Sequence, residues 1–389
     1  MKQLKRRKFG ATGLQVTELS FGAMNLRLLD NATEGYQLVN YVLDQGINLI
    51  DTARAYNGLT KSGEPVESEV IVGEVIRSRT DLKEPLIVVT KGHGYTVPEL
   101  EEELRISREK LGITGRGALR IGNNPIILVY FLHGINEERW AKVKSSGALD
   151  RLRELKEEGL INIPGFSSHY YSRKEIKEAI DTGVFEVVEL PYNIFNRILG
   201  EDGEINLLAY AYERGLGVIN MKAFGGNGLA PVFGAIQECV DIDHRAMLNF
   251  CLANPYISTV DAGARYIHEF REDLETALGE RPDQAQLERL KQEADIIAPH
   301  LRHLCRDCLH CVEKFSCPQE VDFPAILALY SRYLIKNALG KEVAEYKERF
   351  AELAADAEKC IECGECLPWC EYKLQIPQMI AKAREELGS

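Results

Sequence analysis

Short apolar runs alternate with charged stretches of helical period through the first ~280 residues, about two domain-lengths of chain. The apolar runs are Gln15–Phe21, Ile47–Ile50, Leu86–Thr90, Ile126–Leu132, Ile161–Phe166, Val184–Leu190, Gly217–Met221 and Ile257–Ala262. Between and after them lie Thr33–Gln45, Val66–Arg77, Glu99–Leu111, Ala148–Glu158, Arg173–Asp181, Leu207–Arg214, Asp243–Cys251 and Ile267–Leu278, with apolar positions at helical spacing. Eight strand–helix units predict right-handed βαβ crossovers. That number favours closure into an α/β (β/α)8 TIM barrel over an open doubly wound sheet. Lys5–Phe9, a glycine-rich turn and Gln15 predict a hairpin plugging the barrel bottom, and Gly112–Asn124 reads as an extra loop.

Composition narrows the function. The chain has 389 residues, with 47 Lys and Arg against 59 Asp and Glu, a net charge of −12. Binding nucleic acid needs a net basic face, so no nucleic-acid partner is expected. The basic start, Lys2 to Lys8, runs into Phe9-Gly10-Ala11-Thr12-Gly13 with no apolar core of a signal peptide. The longest apolar run, Pro125 to Leu132, is far short of a membrane span. A cytoplasmic protein is the expectation.

The cysteines divide the chain. Eight of the ten lie between Cys305 and Cys370, while Cys239 and Cys251 read as small core residues. Two tight clusters in a cytoplasmic chain point to metal rather than disulfides. We therefore expect a barrel over residues 1–285 and a small, mainly helical domain over 286–389. Within the latter, Ala325–Asn337 and Lys341–Glu358 are helical by pattern.

A barrel carries its site at the carboxyl ends of its strands. There the sequence places Asp51 and Tyr56, then Lys91, then His133, then Ser167, Ser168 and His169. A lysine on an apolar strand is costly unless paired, and Asp51 is the available partner. A Lys⁺ beside a phenol favours phenolate, which makes Tyr56 a usable proton donor with a lowered pKa. His93 and His169 sit near the same mouth, as substrate lining or as exposed residues.

On these residues the chain resembles the aldo–keto reductases. The match runs through Asn48-Leu49-Ile50-Asp51-Thr52-Ala53 to Tyr56, Ser68-Glu69, Gly73, Val89-Thr90-Lys91, Phe131-Leu132-His133 and Gly165-Phe166-Ser167-Ser168. The resemblance implies NAD(P)H-dependent hydride transfer to a small carbonyl substrate, or the reverse from an alcohol. Tyr56 would be the proton donor, Lys91 would tune it, Asp51 would hold Lys91, and His133 would orient the carbonyl oxygen. Ser167, Ser168 and Glu189 match the places that hold the carboxamide, although Ser168 and Glu189 depart from the family's usual Asn and Gln. Met221 matches the residue stacked on the nicotinamide. Arg265, Glu272 and Asp273 lie in the segment matching the adenine side. There the usual 2′-phosphate arginine is matched by Glu269, so Arg265 or Arg271 would have to substitute, and NAD versus NADP stays open.

The C-terminal motifs read Cys305-x2-Cys308-x2-Cys311-x5-Cys317-Pro318 and Cys360-x2-Cys363-x2-Cys366-x3-Cys370. Three cysteines at successive two-residue gaps fit a cubane cluster better than a zinc site. The motifs resemble two-cluster bacterial ferredoxins, which implies two [4Fe–4S] clusters in a ferredoxin-like iron–sulfur domain. Crossed ligation would group Cys305, Cys308, Cys311 and Cys370, and separately Cys360, Cys363, Cys366 and Cys317; each motif serving its own cluster is the alternative. Hydride transfer moves two electrons and a cluster moves one, so exchange between the halves would need a carrier such as a flavin, for which the sequence shows no motif. A different class of function also stays open: a nucleotide-binding, redox-sensing module that passes electrons to a protein partner and has little reductase activity.

Overall fold

The computed structural model describes residues 3–169, 173–225, 236, 240, 242–305, 310–370 and 373–388. The chain divides into two compact units, Met1–Ala223 with Leu248–Arg281, and Phe224–Met247 with Pro282–Ser389.

The first unit is built on eight parallel strands: β1 (Leu19–Gly22), β2 (Leu49–Asp51), β3 (Leu86–Gly92), β4 (Asn124–Leu132), β5 (Ile163–Ser167), β6 (Val187–Pro191), β7 (Gly217–Met221) and β8 (Thr259–Ala262). Each pairs with its sequence neighbours, β8 returns to β1, and β4 to β5 completes the ring. Helices outside and side chains inside bury both faces of a strand, which is why these segments read as continuous apolar runs. Inward residues such as Leu49, Ile87, Val89, Val129, Phe131, Val187 and Ile219 fill the barrel interior.

The bottom is closed as the sequence predicts. Arg6–Lys8 pairs antiparallel with Gln15–Thr17, and Phe9 enters the interior cluster. Gly10 turns this hairpin at φ +59°, and a Cβ there would lie 2.3 Å from backbone atoms of Gly215 and Gly217. The run Gln15–Phe21 is therefore two elements, hairpin strand and β1. They meet at Glu18, which is buried and receives Arg7 at 3.0 Å and Arg281 at 2.6 Å. Two guanidinium groups satisfy that carboxylate in place of water, so the break carries no exposed polar signal.

The expected loop Gly112–Asn124 forms a small antiparallel hairpin, Ile113–Thr114 with Arg120–Ile121, joined to the start of β4. A further hairpin, Asn57–Leu59 with Pro65–Glu67, follows Tyr56. Neither has the length or alternation that marks a strand in sequence.

In the second unit the helices Phe323–Ala338, Ala344–Glu358 and Ile376–Leu387 pack together around Ile326, Leu327, Tyr330, Phe350 and Ile380. Asp322 caps the first of them by accepting from the Ala325 amide at 3.1 Å, and a proline stands in its first turn. Among the described residues no helix is long and apolar enough to cross a membrane.

Candidate active site and a cysteine-lined hollow

β2 ends in Asp51 and β3 carries Lys91; both side chains are fully buried. Lys91 Nζ donates to both carboxylate oxygens of Asp51, to the Thr52 carbonyl at 3.4 Å and to Tyr56 Oη at 3.2 Å. Glu189, from β6, pairs with the same ammonium at 3.2 Å. Tyr56 is placed by a turn in which its amide donates to the Ala53 carbonyl at 3.0 Å. The His133 ring stands edge-on to the Tyr56 ring, with centroids 6.0 Å apart. Asp51, Tyr56, Lys91 and His133 thus converge at one mouth.

Burial is the largest single influence on Lys91 and favours its neutral form, but Asp51, Glu189, Tyr56 and Asp261 together outweigh it and hold the ammonium charged. Burial also pushes Tyr56 well above the usual tyrosine value, with Lys91 pulling the other way. The sequence expectation of a lowered value is corrected here: in the closed pocket desolvation exceeds the attraction of one lysine. Tyr56 is a protonated phenol across the neutral range. Burial, aided by the cationic Lys91, holds His133 well below the usual histidine value, so its imidazole is neutral.

Two polar strand ends escaped the sequence reading. Asp261 of β8 brings a third carboxylate, and oxygens of Asp51, Glu189 and Asp261 all lie within 4.8 Å of one another. Gly22 makes room for it, since a Cβ there would lie 2.4 Å from Asp261 Oδ2. Burial and the Glu189 charge push Asp261 up to about 7. Lys222 directly follows β7. The strand-end rule that singled out Lys91 and His133 would have found both had it been carried on to the seventh and eighth strands.

The expected nucleotide residues divide by position. Ser167 and Ser168 are buried in the β4–β5 junction: Ser167 Oγ accepts from the Gly134 amide at 2.9 Å, and Ser168 Oγ donates to the Ile135 carbonyl at 2.9 Å. Ser167 keeps a donor for a ligand, while the Ser168 proton is used within the protein. Glu189 faces Lys91, and Met221 closes β7 with only 6% of its surface exposed. Beyond β8, Arg265 and Glu272 are exposed and Asp273 is buried. Glu269 accepts from the Arg265 amide at 2.7 Å and pairs with its guanidinium at 3.3 Å.

In the second unit, Cys317, Cys360, Cys363 and Cys366 line one hollow that opens to solvent, together with Phe315, Ile361 and Ile376. Glu362, between Cys360 and Cys363, and Gly364, between Cys363 and Cys366, adopt left-handed backbone at φ +55° and +80°. Burial, then the sulfurs of Cys360, Cys363 and Cys317, push the Cys366 thiol up to about 11. A thiolate at Cys366 is disfavoured by its surroundings, and a cationic core held by the four sulfurs would stabilise it. Cys305, Cys311 and Cys370 pack against the helical core of the same unit. Cys308 and Cys239 lie outside the described residues, and Cys251 is a buried core thiol.

The first unit is thus a closed parallel barrel with a buried Lys–Asp pair beside a tyrosine and a histidine at its mouth. The chain belongs to the aldo/keto reductase family, whose pattern it matches over residues 18–255, more than half its length. It is 24% identical to the uncharacterized oxidoreductase YqkF of Bacillus subtilis over 322 residues, 76% of this chain and 99% of that one. The fold is similar to that of the aldo-keto reductase AKR11C1 from Bacillus halodurans, with a TM-score of 0.58 at 23% identity over 75% of this chain and 96% of the other. A putative aldo-keto reductase from Pseudomonas aeruginosa aligns with a TM-score of 0.53 at 22% identity, covering 70% and 94%. The chain is an oxidoreductase of the aldo–keto reductase type. The family match ends at residue 255, before the clustered cysteines.

Proposed function

We propose that the barrel interconverts a small carbonyl compound and its alcohol at the expense of a nicotinamide dinucleotide, and that the second unit holds two [4Fe–4S] clusters. The observation that carries the first part is the Asp51–Lys91–Tyr56 chain, with Lys91 buried, charged and 3.2 Å from the phenol oxygen. A bound nicotinamide supplies the hydride. In the reducing direction, Tyr56 Oη delivers its proton to the carbonyl oxygen as the carbonyl carbon is reduced. The phenolate left behind lies against the Lys91 ammonium, which stabilises it. Neutral His133 donates a hydrogen bond to the same oxygen and disperses its developing charge. Asp51 keeps Lys91 in place and does not itself meet the substrate. Ser167 Oγ, with its free donor, and Met221, at the end of β7, are the residues suited to the nicotinamide.

The C-terminal donor set is all thiolate and curved around a hollow, which suits iron–sulfur chemistry. Cys317 stands with Cys360, Cys363 and Cys366 rather than with its own motif, which supports crossed ligation. The clusters supply one-electron chemistry; the chain's part is to fix eight sulfurs and shield them with Phe315 and Trp369, whose rings stack 6.3 Å apart.

The test is NAD(P)H oxidation with a panel of aldehydes and ketones by the anaerobically purified protein. Tyr56→Phe should lower kcat by about 10²–10⁴-fold, the usual value of a positioned proton donor. An active Tyr56→Phe protein would overturn this assignment. Turnover of no carbonyl or alcohol, with clusters that titrate against a partner, would favour the redox module.

A further inference from the structure

Three successive strands each deliver a histidine to the barrel mouth: His93 after β3, His133 after β4 and His169 after β5. His93 lies flat on His133, with centroids 4.5 Å apart and planes 15° from parallel. His133 Nε2 is 3.3 Å from His169 Nε2. The Nδ1 atoms of both His133 and His169 are buried without a hydrogen-bond partner. Lys222 stands nearby in left-handed backbone, at φ +59°. A lysine gains nothing from that conformation by itself, and such residues cluster where the backbone serves a site. Its half-buried ammonium makes no ion pair among the described residues.

The charges acting on His133 and His169 have one sign, while Lys222 also feels Glu189. Those acting on His169 are Lys222, Lys91, His93 and Arg139, and those acting on His133 are Lys91, His93, His169 and Arg139. No carboxylate is among them. Only Glu103 reaches His93 with the opposite sign, against Arg139. Lys91 is already balanced by Asp51 and Glu189. Lys222 and the neutral imidazoles offer hydrogen-bond donors above the reactive tyrosine, within the positive potential that Lys91, Lys222 and Arg139 exert on His133 and His169.

Two kinds of ligand suit paired imidazoles. The 3.3 Å separation is also that expected between two nitrogens on one tetrahedral metal ion, roughly 3.3 Å for bonds of about 2.0–2.1 Å. A metal there would meet that same positive potential, with no carboxylate among the groups that act on either imidazole, so the electrostatics disfavour a cation and attract an anion. We propose that the substrate of this barrel carries an anionic group, a carboxylate or a phosphate, received by His169, His93 and Lys222 while its carbonyl oxygen faces Tyr56 and His133. The proposal rests on the carbonyl reductase reading above. Burial and Lys222 hold free His169 down to about 3; a bound anion reverses the sign of the local field, so binding takes up a proton and tightens as the pH falls.

The pyrophosphate of the dinucleotide is the other source of an anion near Lys222, and the experiment separates the two. Matched substrates are compared, glyceraldehyde 3-phosphate with glyceraldehyde, and 4-carboxybenzaldehyde with its methyl ester. At least one charged member should show a kcat/KM tenfold or more above its neutral partner, and His169→Asn and Lys222→Gln should bring that ratio close to one. Equal rates within both pairs overturn the proposal. So does a Lys222→Gln protein that binds NADH tenfold more weakly with the ratio intact, because the lysine would then serve the dinucleotide. Should no aldehyde at all be reduced, the reductase reading falls, and the anion site is read directly by histidine NMR during titration with inorganic phosphate. A downfield shift of the His169 ring signals, larger at pH 6 than at pH 8 and lost in Lys222→Gln, supports the site. No shift overturns it.

Discussion

Replacing Lys91 by methionine removes the ammonium paired with both Asp51 and Glu189, with Asp261 close by. The attraction lost is large: at 3.2 Å from Glu189 and an effective dielectric of about 20, one contact amounts to roughly 5 kcal/mol. The folded variant escapes part of this by binding a proton on a carboxylate. That escape costs about 1.4 kcal/mol for each pH unit above the ordinary carboxyl value near 4. At pH 8 it costs more than about 5 kcal/mol and gives no relief; at pH 5.5 it costs only about 2 kcal/mol. The deficit against wild type should therefore be about 3–5 kcal/mol at pH 8, the usual range for an orphaned buried charge, and about 2 kcal/mol at pH 5.5. The sign follows from linkage. Between these pH values the unfolded carboxylates are ionised while the folded variant retains a proton, so stability falls as the pH rises. Urea unfolding followed by Trp140, which is buried in the barrel with 1% exposure, measures this in a Trp369→Phe background. The Asp51→Asn, Lys91→Met double variant should recover part of the pH 8 loss. A deficit below about 1 kcal/mol, or one equal at both pH values, would mean that the carboxylates are not ionised around Lys91, and the electrostatic account would fail.

Asp261→Asn removes a carboxyl pushed up to about 7. In wild type that group makes the barrel lose stability as pH rises from about 4 to 7, with no further change above; the slope should be weaker in the variant when the same unfolding is followed across that range. Cys317→Ala should lower the iron of the anaerobically purified protein from about eight atoms to about four, and a count unchanged at eight would sink crossed ligation. The Arg265–Glu269 pair withholds positive charge from a 2′-phosphate, so NADH should be the better donor. Glu269→Lys should shift the NADPH/NADH ratio of kcat/KM upward by tenfold or more, and a ratio that does not move would place the adenine end elsewhere.

The barrel was legible because each strand is apolar on both faces and each helix carries its own period. What stayed hidden was hidden by pairing. Glu18 breaks an apolar run, yet two arginines bury it, so Gln15–Phe21 looks like one strand when it is two. That Asp51, Tyr56, Lys91 and His133 share one mouth could be read from strand ends alone, since Lys91 on an apolar strand requires a partner and Asp51 is at hand. The proton affinity of Tyr56 could not be read that way, because it depends on how completely the pocket excludes water, and neighbouring residue types do not record that. Asp261 lies 210 positions from Asp51 in the chain, and only closure of β8 onto β1 brings the two together.

That closure gives the mouth an acidic side and a side of hydrogen-bond donors. Beneath Lys91 lie Asp51, Glu189 and Asp261; above Tyr56 lie His93, His133, His169 and Lys222. A carboxylate at position 189 in place of an amide adds a second ion pair to Lys91 beside that of Asp51. The consequence lies in the field. Acids below favour the charged ammonium and oppose a phenolate, while the Lys222 ammonium and the imidazole donors above favour negative charge on the substrate oxygen. When the proton leaves Tyr56, Lys91 is the one cation adjacent to both the acids and the phenolate, so it offsets the repulsion that Glu189 and Asp261 would otherwise exert. Glu189→Gln should then ease phenolate formation and move any pH limit due to Tyr56 downward in the kcat/KM profile of the alcohol-oxidising direction. An unmoved limit would show that the acids below Lys91 are screened from the tyrosine and act only to hold the lysine.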